Sequence, residues 1–290
     1  MVREHMRLHK LHGLGNDFLI RFVDAMPSSD QGAHQALKLC DRKEGVGADG
    51  LIYAVVDPPG LSAAQQAPRR AAMRLWNSDG SHAEVSGNGL RCLTHAIAHE
   101  TGVAQLDVTV STVAGPRRCT VAQSAAAGTV FGVTEMGSVS DGPRPDLAGC
   151  DPVAALGSFL GPQELIAWVT LDVGNPHIVF YVEKPEMVRI SSAGPAVESV
   201  FSSGINVHFA TVAEPDWLTL AVWERGAGAT GACGTGAVAV AAAFHRWGVV
   251  GQRVSVGMDG GHAEVDLAEP VTLQAESAYV AAVEVPDFAA

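Results

Sequence analysis

The sequence predicts an α/β (α+β) protein built from two pseudo-symmetric domains, each with strands arranged around one buried helix. Three observations predict it. Motifs recur in the same order in the two halves of the chain. Each half holds a glycine turn that opens a helix ended by a glycine. The second of these helices, residues 237–244, is apolar on every face, which suits a helix enclosed by sheet.

The repeat is explicit in the residues. Gly15-Asn16 precedes a strand at 18–20, and Gly174-Asn175 precedes one at 178–181. Residues 49–54 match 205–210, Trp76-Asn77 matches Trp223-Glu224, and residues 86–90 match 233–237. Trp76 to Trp223 and Ser86 to Cys233 are both separations of 147 residues. Chance supplies one such match; four in order argue for duplication.

Taken in order, residues 6–24 give a glycine-rich turn beside a short strand, and 30–40 a helix capped by Ser29 or Asp30. A loop at 41–50 runs into a strand at 51–56, and the Pro, Gly and Gln of 57–67 suggest an exposed hairpin tip. A strand at 72–76 meets the turn Asn77-Ser78-Asp79-Gly80, and residues 84–89 open a helix that ends at Gly102. Strands are expected near 106–112 and 117–122, with a domain crossing at the small residues 125–128. Residues 137–151 read as a surface loop, and 168–181, 205–211 and 217–223 as strands. The helix after Cys233 is ended by Gly248.

Composition excludes several classes. The chain has 290 residues, 47% hydrophobic and 17% charged, with 31 acidic against 19 basic residues and a net charge of −12. Nucleic acid and anionic membranes need a basic face, so neither is an expected partner; a small zwitterion held by local cationic groups is compatible. No early segment looks like a leader, and no apolar run reaches about 18 residues, so a soluble cytoplasmic protein is expected. The five cysteines, Cys40, Cys92, Cys119, Cys150 and Cys233, form no CxxC pair and are odd in number, against a disulfide framework or a thiolate zinc site. His95 and His99 lie four apart on one helix but lack the Glu of an HExxH pattern and a third ligand; no metal is expected. Gly45-Val46-Gly47 and Gly226-Ala227-Gly228 lack the Lys and strand context of a phosphate loop. Trp76 and Trp223 read as packing, and Asp172 as a strand end.

The chemistry concentrates at the two glycine turns. Cys233 sits among small residues at a helix start, where the helix dipole lowers a thiol's pKa. A free cysteine is as commonly a small core residue, and Cys233 alone leaves both readings open. The repeat gives it a counterpart, Ser86. Two helix N-termini facing each other would hold a carboxylate on the backbone amides of Gly87-Asn88 and Gly234-Thr235. Ser86 and Cys233 would then lie on opposite sides of the carbon that carries it. One group removing a proton and another delivering one to the opposite face is what inversion at an α-carbon needs, without a cofactor.

The motifs His12-Gly13-Leu14-Gly15-Asn16-Asp17-Phe18, Gly47-Ala48-Asp49-Gly50, Asn77-Ser78-Asp79-Gly80, Gly87-Asn88-Gly89-Leu90-Arg91-Cys92, Gly174-Asn175-Pro176-His177, Glu224-Arg225-Gly226-Ala227-Gly228 and Ala232-Cys233-Gly234-Thr235-Gly236 together resemble the diaminopimelate epimerase family. They span nearly the whole chain in the family's order. The resemblance implies β-barrel-like sheets around central helices. The expected boundaries are 1–127, with a returning C-terminal segment 276–290, and 128–275. It also implies a cytoplasmic, PLP-independent homodimer that interconverts LL- and meso-diaminopimelate in lysine and peptidoglycan-precursor synthesis. Carried over by position, Asn16, Asn77, Asn175, Asn206 and Arg225 would hold the substrate's distal amino-acid end. Glu224 would meet the reacting amino group, and Gly87, Asn88, Gly234 and Thr235 the carboxylate. His177, with Glu224, would tune the acid/base pair. Amide side chains with one Glu and one Arg suit a zwitterion, although each Asn taken singly is an ordinary turn residue.

One position departs from the family pattern, which has cysteine where this chain has Ser86. An alcohol is a far weaker acid than a thiol. Three explanations stand open: an engineered substitution, a natural variant in which a neighbour assists Ser86, or chemistry shifted toward elimination or another amino or imino acid. A racemase or dehydratase, and a catalytically impaired form that only binds substrate, are the alternatives to epimerisation. Cys92, well inside its helix, reads as core rather than a replacement.

Overall fold

Alternation along the strands decides which helix covers which face of the sheet. The computed structural model describes residues 5–57, 69–124, 126–147 and 151–286. The chain divides into two compact units, Met1–Glu135 with Gln274–Ala290, and Met136–Leu273. In unit 1, strands β1 (His5–Gly13) and β2 (Asn16–Phe22) form a hairpin whose turn uses positive φ at Leu14 and Gly15. Helix α1 (Ser29–Leu39) crosses to β3 (Gly50–Asp57), parallel to β2 and antiparallel to β4 (Arg69–Asn77). After the two-residue β5 (His82–Ala83), helix α2 (Gly87–Thr101) crosses to β6 (Gln105–Thr112), parallel to β4. Strands β7 (Gly115–Gln123) and β8 (Thr129–Gly137) continue antiparallel.

Unit 2 repeats this path. After β9 (Ser140–Asp141) and the short α3 (Pro152–Leu156), the hairpin β10 (Leu165–Asp172) and β11 (Pro176–Val182) is followed by α4 (Ile190–Glu198). Strand β12 (Asn206–Glu214) runs parallel to β11 and antiparallel to β13 (Trp217–Glu224). Then come β14 (Gly228–Ala229), the central helix α5 (Gly234–Arg246), β15 (Arg253–Met258) parallel to β13, and β16 (Gly261–Asp266) antiparallel to it. The last strand, β17 (Val271–Pro286), pairs antiparallel with β1.

Successive residues of a strand point to opposite faces. On β3, Ile52 and Ala54 face α2 in a core with Leu90, Leu93, Ala96 and Ile97, while Leu51 and Tyr53 face α1 in a core with Ala36 and Leu39. On β12, Val207 and Phe209 join Ala193 and Val197 of α4, which leaves His208 on the face of α5. Thus α2 and α5 are the enclosed helices and α1 and α4 the outer ones. Every residue of α5 from Gly234 to Phe244 is buried. Its Ala and Gly positions remove the bulk that would hold the sheet away. Each fully buried Leu or Ile contributes about 1.5–3 kcal/mol.

A pair of glycines extends the repeat to the outer helices. A Cβ on Gly32 of α1 would lie 2.3 Å from Trp76, and one on Gly194 of α4 would lie 2.3 Å from Trp223. Each outer helix therefore rests its backbone directly on its unit's tryptophan, the packing role expected of both.

The sequence expectations need four corrections. The cap of α1 is Ser28, in a capping box with Gln31, rather than Ser29 or Asp30. The stretch 168–181 is a hairpin broken at Gly174, whose φ of 87° turns the chain, and not one strand. The surface loop at 137–151 contains β9. Helices α3 and α4 and strands β8, β15, β16 and β17 were not expected. Most of the hairpin tip at 57–67, together with Ala125, Cys150 and the end of the returning segment, lies outside the described residues.

Candidate active site

The two glycine turns adopt one geometry. Ser86 is the N-cap of α2 with φ −139° and ψ 120°, and its Oγ accepts from the Gly89 N–H at 3.0 Å. Cys233 is the N-cap of α5 with φ −130° and ψ 114°, and its Sγ accepts from the Gly236 N–H at 3.3 Å. An extended N-cap whose side chain takes the third N–H is the ordinary serine solution to unsatisfied helix donors. Sulfur fills the same role in unit 2.

Their surroundings differ. Cys233 is 3% exposed, with the Thr235 hydroxyl 3.5 Å from Sγ. Burial, then the neighbouring Glu224 carboxylate, push its thiol well above the usual cysteine range; Thr235 and the Gly236 N–H pull the other way. Against the expected acidification by the helix dipole stand burial and the Glu224 charge, which favour the neutral thiol. Cys40, Cys92 and Cys119 are also buried, their thiols raised to about 12, 12 and 11. Cys92 touches Ser277 inside the unit 1 core, as expected of a packed residue.

In unit 2 the remaining site residues form a connected set. Asn175 Oδ1 lies 2.8 Å from His177 Nε2, and His177 is fully buried. Asn206 donates through Nδ2 to the Pro176 carbonyl at 2.8 Å and accepts from the Arg225 N–H at 3.0 Å. This ties the turn at Asn175 to the Glu224-Arg225 corner. Arg225 Nη1 reaches the Ser203 carbonyl at 3.1 Å, and Glu224 Oε1 accepts from the Thr230 hydroxyl at 2.6 Å. Gly234 and Thr235 form the first turn of α5, both buried.

In unit 1, Asn16 begins β2 opposite Gly13, and Asn77 ends β4 opposite Gly50. Asn77 Nδ2 donates to Ser81 Oγ at 3.0 Å. Gly87 and Asn88 open α2; Asn88 is 1% exposed and accepts from Arg91. A Cβ on Gly13 would stand 3.5 Å from that of Asn88, so the β1–β2 turn lies against the start of α2.

Several supporting residues had no role assigned from sequence. Arg42 bridges Asp17 and Asp49, each at 2.7 Å, while Lys10 holds Asp17 at 3.1 Å. Hydrogen bonds from Arg42 and Lys10 outweigh burial and hold the Asp17 carboxyl below its usual range. This network clamps the chain on either side of Asn16 and Gly50; its charges were visible in the motifs, its pairing was not. Arg91 is fully buried behind Asn88. His208 had no sequence signal except its inward position on β12, where the repeat unit has an aliphatic residue.

The histidines discounted as ligands both lie against β17. His95 Nδ1 lies 3.2 Å from Ser277 Oγ, and His99 stacks on Tyr279 with centroids 3.9 Å apart. Ligand atoms of His9, His99 and Glu100 lie within 4.8 Å of one another, but His9 bonds Tyr279 at 2.9 Å and Arg7 bonds Glu100 at 3.4 Å. Asp172 ends β10, accepting from the Gly174 N–H at 2.7 Å.

The diaminopimelate epimerase family model matches residues 8–140 and 169–277. A diaminopimelate epimerase of Rhizorhabdus wittichii is 35% identical over 95% of this chain and 93% of its own. One of Desulfitobacterium hafniense is 37% identical over 95% and 96%. Among solved structures, a predicted epimerase from Pseudomonas aeruginosa aligns with a TM-score of 0.72 at 14% identity, covering 97% of this chain and 99% of its own. A hydroxyproline epimerase from Agrobacterium vitis, solved with trans-4-hydroxy-L-proline, aligns at 0.63 with 16% identity, covering 99% and 94%. At these identities the structural matches establish the fold. No helix among the described residues is long and apolar enough to cross a membrane.

Proposed function

The chain belongs to the diaminopimelate epimerase family and is an isomerase; we propose that it interconverts LL- and meso-diaminopimelate by proton transfer at the α-carbon, with Cys233 on one face and Ser86 on the other. The observation that carries this reading is the matched pair of caps, one a cysteine beside Glu224.

The proposed cycle begins with Cys233 as a neutral thiol. The substrate's ammonium group pairs with Glu224 and cancels part of the charge that holds the thiol's proton. The thiol releases its proton to solvent, and the thiolate, held by the Gly236 N–H and the Thr235 hydroxyl, then removes the α-proton and is a neutral thiol again. The charge left on the α-carbon spreads into the carboxylate, held by the amides of Gly234, Thr235, Gly87 and Asn88. Ser86 Oγ–H gives its proton to the opposite face, and solvent restores it. Asn16, Asn77, Asn175, Asn206 and Arg225 hold the distal zwitterion. Both transfers run through side chains, with no cofactor. The same reading puts the protein, as a cytoplasmic homodimer, in lysine and peptidoglycan-precursor synthesis.

A weaker, binding-only form is favoured by one observation. The Ser86 hydroxyl accepts from a backbone N–H, and among the described residues no basic side chain bonds to it. Solvent deuterium separates the readings. Epimerisation requires deuterium to enter the α-carbon of diaminopimelate with the chain as it stands, and faster after Ser86→Cys. No incorporation by either form, with substrate still bound, would leave only the binding role.

A further inference from the structure

Strand β12 carries an imidazole where its counterpart carries an aliphatic side chain. Val207 pairs with Trp223 as Leu51 pairs with Trp76, so His208 corresponds to Ile52. Both lie beneath the first turn of their unit's central helix. A Cβ on Gly236 would fall 2.4 Å from His208 Cε1, and one on Gly89 would fall 3.2 Å from Ile52 Cδ1. Ile52 fills its place with no polar atom to satisfy. His208 is fully buried, and its Nδ1 has no hydrogen-bond partner among the described residues. An orphaned buried nitrogen is destabilising, so packing alone does not account for an imidazole here.

What the imidazole adds is one bond. His208 Nε2 lies 2.7 Å from His177 Nδ1, with the two rings stacked at 5.0 Å between centroids. The direction of the protons follows along the line. Asn175 Oδ1 is an acceptor, so His177 Nε2 carries the hydrogen and, in the neutral ring, Nδ1 accepts. His208 Nε2 is then the donor, which leaves its Nδ1 as a bare lone pair. The nitrogen without a partner is therefore the one this arrangement requires to have no hydrogen.

We propose that His208 is a positioning residue that locks His177 in the Nε2–H tautomer and in the orientation that holds Asn175. The partner of one ring nitrogen decides the protonation of the other, and such partners govern how an imidazole is presented to a site. The kinetic consequence rests on the epimerase reading, because His177 and Asn175 belong to the proposed Cys233 half-site. The tautomer does not depend on the substrate.

Two variants separate chemistry from packing. His208→Ile copies the counterpart strand and removes the donor. His208→Gln restores an N–H near the position of Nε2. In nitrogen-15 spectra of the full chain labelled at histidine, His177 is identified by the signal lost in His177→Asn. The expected result is an Nε2–H tautomer in the wild type and in His208→Gln, and mixed tautomers in His208→Ile. Deuterium entry into diaminopimelate should fall about tenfold or more in His208→Ile and recover in His208→Gln. Should His208→Ile fail to fold, His208→Asn, too short to reach His177, supplies the same contrast. An Nδ1–H tautomer in the wild type, or an unchanged tautomer in the variants without the donor, overturns the proposal. Absence of deuterium entry in every form refutes the epimerase reading and leaves the tautomer result to decide this one.

Discussion

Glu224 raises the Cys233 thiol through its negative charge, second only to burial. Removing that charge should move the thiol's titration to lower pH. Glu224→Gln is therefore expected to show Cys233 thiolate absorbance appearing at lower pH than the wild type, while losing substrate turnover. A titration that stays put or moves upward contradicts the assignment of Glu224. The buried histidines give a second prediction at this scale. Burial holds His208 down to about 3 and His177 well below the usual range. An unfolded histidine takes up its proton near pH 6.5, while these folded rings do not. Their stabilising contribution is complete above that pH and is lost as the pH falls below it, by up to about 1.4 kcal/mol per pH unit for each ring. His208→Ile should make the loss of stability between pH 6.5 and 4 shallower, as read by denaturant midpoints; parallel curves would count against it. Asp17, also held below its usual range, works in the same sense, and its contribution is lost at lower pH than that of the histidines.

The outer helices supply the test at the scale of elements. Gly32 and Gly194 let α1 and α4 sit on Trp76 and Trp223 with no room for a methyl group. Gly32→Ala and Gly194→Ala are each expected to cost about 1–3 kcal/mol from overpacking, in spite of alanine's better helix propensity. Stabilisation by either would contradict the packing described. These helices also mark the limit of what could be read from sequence. The central helices were legible because Gly102 and Gly248 end them and Ala237 to Phe244 is apolar throughout. Helix α4, Ile190–Glu198, carries Gly194 and Pro195 and has weak helical character of its own. Its helix is imposed by Trp223, and a contact so distant in sequence leaves no local pattern. Strands β15 and β16 escaped because they are six residues long and alternate with Ser, Gly and Glu. The break within 168–181 is legible only through the repeat, which sets Gly174-Asn175 before a strand at 178–181, since Gly174 is a single glycine in an otherwise extended run. For the site, the caps Ser86 and Cys233 were legible from the repeat. The Arg42 bridge and the His177–His208 pair were not, since each joins residues from separate strands or loops.

At the scale of the whole molecule, the duplication supplies two caps of one shape and different acidity. Ser86 is a weak acid without a basic side chain bonded to it among the described residues, while Cys233 has Glu224, Thr235 and the Gly236 N–H beside it. On the proposed reading, in which Ser86 and Cys233 serve opposite faces of one α-carbon, the two directions are not expected to be symmetric in rate. The isomer whose α-proton faces Cys233 should exchange readily, and the proton should return from Cys233 more often than arrive from Ser86. The most direct measurement follows each isomer of diaminopimelate separately in deuterated water, recording exchange and inversion together. One isomer is expected to take up deuterium without inverting faster than it inverts. Ser86→Cys should raise inversion by about a hundredfold or more and remove the imbalance, and Cys233→Ala should abolish exchange from that isomer. Equal exchange from both isomers in the unaltered chain, or exchange that survives Cys233→Ala, would contradict it.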